Sequence, residues 1–113
     1  MYIKVLRAKL HRVKVTGKNV YYQGSITIGR CRLEKSGIIP GEFVYVVNLS
    51  NGARFETYVI EGRDKEIELN GGAARLGEIG DELIIMAYAY VTPEEAKSLK
   101  PIVIYGDDEA CKA

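Results

Sequence analysis

A succession of short apolar runs separated by turn residues is the feature that most limits the folds open to this chain. The run at residues 43–47 is β-branched and aromatic, and it lies between Pro40-Gly41 and Asn51-Gly52, so it predicts a strand between turns. Similar runs predict strands near residues 2–7, 13–15, 26–28, 55–60, 67–69 and 83–91. Six or seven short strands of this kind predict a mainly β protein, either a small barrel or a sandwich.

Two of these runs carry more specific expectations. Asn51-Gly52 separates the run at 43–47 from the run at 55–60, so it predicts a tight hairpin turn whose two central residues both adopt positive φ. The run at 83–91 is apolar throughout but only about half as long as a membrane-spanning helix. It predicts a central strand that is buried on both faces.

Helix signals are few. Thr92-Pro93-Glu94-Glu95 combines an N-cap hydroxyl, a proline at the first helical position and a glutamate three residues after the cap, and it predicts a short helix that ends before Pro101. A second turn of helix is predicted over residues 31–36, with Gly37 as its C-terminal cap.

Size and composition fit one globular domain. The chain has 113 residues, of which 47% are hydrophobic, so we expect a single domain over residues 1–113 with a modest core. Residues 1–7 lack the contiguous apolar stretch of a secretory signal, and we therefore expect a cytoplasmic location. In that reducing compartment Cys31 and Cys111 are expected to be free thiols.

Charge is divided unevenly along the chain. Residues 1–35 hold nine Lys/Arg and one acidic residue, a net charge of +8, whereas the remainder holds seven Lys/Arg and fourteen Asp/Glu, a net charge of −7. The basic segment could steer an anionic ligand toward the protein. Alternatively, two oppositely charged halves pack together in one fold or across a subunit interface.

Metal and common cofactor motifs are missing from the sequence. It has no CxxC, HExxH or P-loop, no GxGxxG after a strand, and a single histidine, His11. No GxSxG surrounds a serine, which argues against a serine hydrolase. We expect no metal site, and we assign His11 no catalytic role.

Gly24-Ser25 is a candidate of a different kind. It follows the polar turn Tyr21-Tyr22-Gln23 and opens the run at residues 26–28. Glycine permits conformations that other residues resist, and the serine hydroxyl lies directly beside the preceding carbonyl. Taken alone, however, Gly-Ser is a common turn dipeptide.

Three further clusters accompany this dipeptide, and together the motifs are Lys9-Leu10-His11-Arg12-Val13-Lys14-Val15, Tyr22-x-Gly24-Ser25, Asn51-Gly52-x-Arg54-Phe55-x-Thr57-Tyr58 and Asn70-Gly71-Gly72-Ala73-Ala74. In order and spacing the chain resembles the bacterial pyruvoyl-dependent aspartate 1-decarboxylases over residues 6–101. It departs from the family pattern at Gln23, where an acidic residue is common, at Gly72, where an alanine is usual, and over the last dozen residues.

The resemblance implies a double-psi β-barrel with one or two short helices, assembled as a homotetramer with active sites between neighbouring subunits. It also implies self-cleavage of an inactive precursor. Ser25 Oγ attacks the carbonyl of Gly24, the resulting ester eliminates, and the chain separates into residues 1–24 and 25–113. Thr57 is the implied donor to the oxyanion. Scission is either spontaneous or assisted by a maturation helper protein.

For the mature protein the resemblance implies a carbon–carbon lyase. A pyruvoyl group derived from Ser25 forms a Schiff base with L-aspartate and accepts the electron pair released with CO2, so neither pyridoxal phosphate nor a metal is needed. The product, β-alanine, supplies pantothenate and hence coenzyme A biosynthesis. Tyr58 is the implied proton donor, because a phenol is protonated at neutral pH.

The implied substrate-binding set consists of Lys9, Arg54, Thr57, Asn70, Gly71, Gly72 and Ala73. Lys9 and Arg54 would neutralise the two carboxylates of aspartate, and either cation could hold either carboxylate. The glycines would let the ligand approach the backbone closely.

The strand that carries Arg54 and Tyr58 poses a geometric problem. These two residues are four apart and share one face, whereas Thr57 faces the other way. A strand distortion, a subunit boundary, or a role for Thr57 in maturation alone would resolve the conflict.

Two alternatives come from other functional classes. One is a small β-barrel that binds RNA or single-stranded DNA through the basic first third, with Tyr21 and Tyr22 as stacking surfaces. The acidic remainder and the lack of an aromatic cluster argue against it. The other is an assembly subunit whose two charged halves pair.

Overall fold

The computed structural model describes residues 1–107 and residue 111. The strands are β1 (Ile3–Lys14), β2 (Gly17–Asn19), β3 (Ser25–Gly29), β4 (Phe43–Asn48), β5 (Arg54–Gly62), β6 (Ile67–Asn70), β7 (Glu82–Val91) and β8 (Ile102–Tyr105). The helices are α1 (Arg30–Ser36) and α2 (Pro93–Ser98), and a 3-10 helix spans Gly71–Leu76. None of the helices within the described residues is long and apolar enough to cross a membrane.

The eight strands follow the order β2-β6-β3-β5-β4-β7-β1-β8. Most neighbours are antiparallel, but β2 with β6, β3 with β5 and β1 with β8 are parallel. One core cluster draws its fully buried side chains from β1, β3, β4, β5, β6 and β7. The mainly β class is confirmed, and the architecture is compatible with the double-psi β-barrel that the resemblance implies.

Strand β1 is longer than expected. The runs predicted near residues 2–7 and 13–15 belong to one strand of 12 residues, because two register shifts against β7 absorb residues that break the period of two. One shift lies between His11 and Val13, where Arg12 adopts a φ of 63°. Strands β2 and β8 are additional to the predicted set.

Two details of the predicted strands are wrong. At the β4–β5 hairpin only Gly52 has positive φ, at 79°, because the loop is longer than a two-residue turn and Val47 pairs with Arg54. Strand β7 is buried on one face only, since buried Leu83, Ile85 and Ala87 alternate with half-buried residues.

Both predicted helices are confirmed. The Thr92 hydroxyl accepts from the Glu95 amide, and the Glu95 carboxylate accepts from the Thr92 amide, which completes a capping box with Pro93 at the first position. Helix α1 ends at Gly37, whose φ of 78° suits glycine.

The two charge blocks meet inside the single chain. Four ion pairs each join a cation from residues 1–35 to a later glutamate, namely Arg7–Glu42, Arg12–Glu82, Lys18–Glu78 and Arg30–Glu61. The basic segment is thus partly neutralised by the fold, as the packing interpretation of the charge division predicts.

The expectation of free thiols is wrong. Cys31 at the start of α1 and Cys111 form a disulfide with a Cα–Cα distance of 5.5 Å across 80 residues. Spacing in sequence does not reveal such a pairing, since it depends on where β8 brings the end of the chain.

A buried asparagine fixes the far end of the 3-10 helix. Asn48 is fully buried, and its Nδ2 donates to the Leu76 carbonyl (3.1 Å) and to Asp81 Oδ2 (2.9 Å). The hydrogen bond from Asn48, followed by that from the Glu78 amide, lowers the pKa of the Asp81 carboxyl. These bonds link β4, the 3-10 helix and the turn that precedes β7.

We expect Asp81→Asn to reduce the acid sensitivity of the fold. A carboxyl whose pKa is lower in the folded state stabilises above its unfolded pKa of about 4, and that stabilisation is lost as the pH falls through the folded pKa. The wild-type urea midpoint should therefore drop more steeply than that of the variant as the pH is lowered from neutrality through 4 toward 2. Glu94→Gln, on the exposed face of α2, is the control and should leave the pH profile close to wild type. Parallel wild-type and Asp81→Asn profiles would contradict the assignment.

Candidate active site

Ser25 lies fully buried at the first position of β3, directly opposite Asn70 at the end of β6. Asn70 Nδ2 donates to Ser25 Oγ (3.0 Å) and to Thr27 Oγ1 (2.9 Å). Ser25 Oγ in turn donates to the carbonyl of Gln23 (3.2 Å). The hydroxyl is therefore held beside the Gly24-Ser25 peptide rather than exposed to solvent.

Gly71 packs against the main chain that precedes Ser25. It adopts a φ of 60°, and a Cβ at this position would lie 2.6 Å from both the nitrogen and the Cα of Gly24 and 2.8 Å from the Tyr22 carbonyl. Only glycine permits both the conformation and the contact. The start of the 3-10 helix thus packs directly on the Gly24-Ser25 turn.

Strand β5 brings a second pair of candidates to the same end of the sheet. Strands β3 and β5 run parallel, and Ile26 lies opposite Val59. The residues that precede this pair, Ser25 and Tyr58, therefore also lie side by side. Thr57 is buried, with 8% of its surface exposed, and it alternates with Tyr58 along β5. Thr57 therefore lies on the inner face with Val59 and Ile26, whereas the register places Ser25 on the face of Tyr58.

The remaining charged candidates face outward. Arg54 is exposed, and Tyr58 is half-buried with its ring 6.1 Å from that of Phe43. Lys9 alternates with the fully buried Ala8 and Leu10, so its side chain leaves the opposite face of β1. In the sheet order β1 lies three strands from β5.

The register thus separates Thr57 from the other candidates. Ser25 and Asn70 lie on the face of the sheet that carries Arg54 and Tyr58, with Gly24, Gly71, Gly72 and Ala73 next to them in the chain, and Lys9 lies on the same face of the distant strand β1, whereas Thr57 lies on the inner face. The conflict predicted between Thr57 and its neighbours is therefore present in the structure.

One contributor to the site is additional to the predicted set. Thr27 shares Asn70 Nδ2 with Ser25, because residues two apart on β3 face the same way. A Ser-x-Thr pattern at the start of a strand is a signal that could have indicated it. Asn70 Oδ1 is buried and accepts no hydrogen bond within the described part of the chain. This oxygen is therefore an unused hydrogen-bond acceptor near Ser25.

Within residues 1–107 and 111, no group of His, Cys, Asp and Glu side chains lies close enough together to hold a metal ion.

Comparison with known proteins identifies the class to which such a site belongs. The family model described as aspartate decarboxylase matches residues 1–112. Proteins named aspartate 1-decarboxylase from Chloroherpeton thalassium and Cytophaga hutchinsonii are 50% and 51% identical over 109 residues, which is 95% of this chain and 80% and 95% of those proteins. The protein of that name from Pyrobaculum islandicum is 52% identical over 101 residues, 89% of this chain and 83% of that protein.

The fold and the site therefore define an enzyme, a carbon–carbon lyase that removes a carboxyl group. More particularly, the chain belongs to the aspartate decarboxylase family. The resemblance drawn from the four motifs is confirmed, and the nucleic-acid alternative is not favoured.

Gly71→Ala should block any reaction that needs the Gly24-Ser25 turn in its present position. The new methyl group would overlap the backbone of Gly24, and an L side chain is strained at this φ. We expect the scission after Gly24 that the resemblance implies, followed by mass spectrometry of the purified chain over days, to fall at least about tenfold, since a barrier increase near 1.4 kcal/mol suffices.

Gly72→Ala is the matched control. A Cβ at Gly72 meets no atom within 4 Å, so alanine fits there without displacing a neighbour. The control should retain wild-type scission. Equal rates for the two variants would contradict a role for Gly71 in holding the turn.

Proposed function

We propose that this chain is an L-aspartate 1-decarboxylase that forms β-alanine and CO2 and so supplies pantothenate, and hence coenzyme A, biosynthesis. The observation that carries the proposal is the fully buried Ser25 hydroxyl, which Asn70 holds beside a Gly24 peptide that Gly71 packs against. Family membership provides the reaction, and this arrangement provides the residue on which the reaction depends.

Maturation begins with the chain's own serine. Ser25 Oγ bonds to the carbonyl carbon of Gly24, and its proton passes to the departing amide nitrogen, so the peptide becomes an ester with a free amine at residue 25. Loss of the Ser25 α-proton then expels the Gly24 carboxylate, and hydrolysis releases ammonia. Residues 1–24 and 25–113 result, the latter with a pyruvoyl group at its start. An ester is less stable than an amide, so the turn has to favour the attack.

The residues around Ser25 fit this sequence of events. Asn70 Nδ2 orients the attacking oxygen, and the unused Asn70 Oδ1 offers an acceptor for the amine that is released. The Thr57 hydroxyl, buried on the inner face of β5, is the donor that we assign to the oxyanion formed at Gly24. In this proposal Thr57 takes part in maturation, and its place in β5 next to Tyr58 also allows it to line the substrate pocket.

A pyruvoyl group at position 25 would provide an electron sink for the pair released with CO2. It would lie where Asn70, Gly71, Gly72 and Ala73 supply an amide side chain and backbone N–H groups. Glycine at 71 and 72 allows a ligand to approach this backbone closely. No other prosthetic group is required by the proposal.

The charged groups bind and protonate the substrate. Arg54 can hold one carboxylate of aspartate with two parallel hydrogen bonds, while Lys9 provides a point charge for the other. Tyr58 provides the proton that replaces the lost carboxyl group. We assign neither cation to a particular carboxylate.

The outward position of Lys9, Arg54 and Tyr58 supports a homotetramer whose sites lie between subunits. Their face of the sheet carries half-buried or exposed apolar side chains, among them Phe43 (60% exposed) and Met86, which is paired with Lys9. Residues 20–24 are exposed, so the turn of one subunit can reach this face of another. A second copy would cover the apolar face and complete the pocket.

We retain a cytoplasmic location as part of the proposal, because β-alanine is used there for pantothenate. Incubation of the purified precursor without other proteins will show whether scission is spontaneous or needs a helper protein.

The first test is the mass of the purified chain. Active protein should consist of two fragments separated after Gly24, with the larger fragment lacking a free amine at its start. Ser25→Ala should remain one chain and form no β-alanine, because the attacking oxygen is gone. Reduction with borohydride in the presence of aspartate should mark residue 25 in the wild type only. Full activity in an unbroken chain with an intact Ser25 would overturn the proposal.

The second test combines two different defective subunits in one oligomer. Arg54→Ala should lower kcat/KM about a hundredfold, because a charged hydrogen-bonded pair contributes roughly 3 kcal/mol. Co-expressed Arg54→Ala and Ser25→Ala subunits should recover part of the activity, since mixed oligomers contain pockets with one intact half from each subunit. The mixture of Ser25→Ala with Gly71→Ala is the control and should stay inactive, because both defects lie in the same half. Absence of recovery in the first mixture would contradict a shared site.

A further inference from the structure

The disulfide lies entirely on one side of the proposed scission site. Both cysteines fall within residues 25–113, while residues 1–24 contain none. If the chain separates after Gly24, as the proposed function requires, the smaller fragment is therefore not covalently tied to the larger one. That fragment carries Lys9 on β1, so losing it would remove a substrate-binding cation.

Strand β1 is enclosed by the larger fragment. It pairs with β7 along most of its length on one side and with β8 on the other. Its inward side chains, Ala8, Leu10 and Val13, are fully buried in the core. Strand β1 cannot leave without separating from both neighbours.

Strand β8 is the weaker of the two neighbours. It is last in the sheet order, and among the described residues it pairs with β1 alone, so no second described strand holds it. At its start it is connected through α2 to β7, and beyond its end the chain reaches Cys111, which is 3% exposed and bonded to Cys31 of α1. The disulfide thus fixes the free end of β8 to the body of the larger fragment.

The segment after β8 also grips β1 directly. The Gly106 amide donates to the His11 carbonyl (2.8 Å), and a Cβ at Gly106 would overlap the Arg12 carbonyl. This contact lies at the β1 register shift where Arg12 adopts positive φ. Arg32 of α1 donates to the Gly106 carbonyl (3.4 Å), which links the same point to α1.

We propose that β8, Gly106 and the Cys31–Cys111 disulfide form a redox-sensitive clasp that retains the N-terminal fragment after self-cleavage. With the disulfide closed, β8 is held at both ends and β1 lies between two fixed strands. A dithiol that gives two electrons and two protons to the disulfide yields two cysteine thiols and becomes a disulfide itself. The end of β8 is then free to separate from β1, which opens a route by which residues 1–24 dissociate.

The test uses fully cleaved wild-type protein in a urea concentration below its unfolding transition, with and without dithiothreitol. Residues 1–24 are separated by gel filtration and quantified by mass spectrometry over time. We expect reduction to speed their release at least about tenfold, with decarboxylase activity lost at the same rate. Cleaved Cys31→Ser/Cys111→Ser protein should release the fragment at the reduced rate without added reductant. If that variant fails to fold, the release rates of wild-type protein with and without dithiothreitol decide whether the clasp exists.

The uncleaved Ser25→Ala chain separates a clasp from a general stabilising effect. Its β1 remains covalently attached, so reduction should lower the protection only of the β1 amides that face β8, whereas in cleaved protein at the same urea concentration it should lower the protection of all β1 amides. Equal loss of β1 protection in this chain and in cleaved protein would overturn the clasp, as would release that ignores dithiothreitol. An unbroken wild-type chain would overturn the proposed function and the clasp together, whereas scission with redox-independent release would overturn the clasp alone.

Discussion

The pairing of β3 with β6 is the constraint on which the rest of this molecule depends. It sets Ser25 opposite Asn70 and, one residue further, lays Gly71 against Gly24. A hydroxyl at the end of a strand would ordinarily turn to water, but here it is fully buried and held by an amide that is itself fully buried. Burial makes each of these hydrogen bonds costly to lose, so the turn has few alternatives.

That constraint also explains why the candidates lie on two faces. The register places Ser25 and Asn70 on the face of Tyr58, whereas Thr57 lies on the inner face with the core side chains. Lys9 and Arg54 stay on the outer face, where a charged side chain is not penalised by burial. The pocket that we propose at a subunit boundary would join these charged groups to the turn that Asn70 and Gly71 hold in place.

Much of the fold follows from local patterns, and the exceptions have physical causes. The strands at β4, β5, β6 and β7 follow from β-branched runs between turns, and α2 follows from its capping box. Strand β2 is polar and three residues long, so it has no local signal and exists through its pairing with β6. The β-branched Ile102-Val103-Ile104 did carry a signal for β8.

The candidate site divides in the same way. The period of two along β5 was sufficient to predict that Thr57 opposes Arg54 and Tyr58, and the four motifs indicated the family. The role of Asn70 beside Ser25 depends on strand register, and the disulfide depends on two segments 80 residues apart. Both are long-range properties that no short stretch of sequence encodes.

The self-cleavage that we propose would leave β1 without a covalent link to the rest of the sheet, and the strand topology bears on how it is retained. Cutting after Gly24 leaves the smaller piece with a strand whose inward side chains are fully buried, so apolar burial and two ladders of hydrogen bonds oppose its loss. These forces persist only while both neighbouring strands stay in place. Strand β7 is secured by β4, but β8 has no second neighbour within residues 1–107. A covalent bond at the far end of β8 therefore acts where the enclosure is weakest, and it does so without touching any residue that handles the substrate.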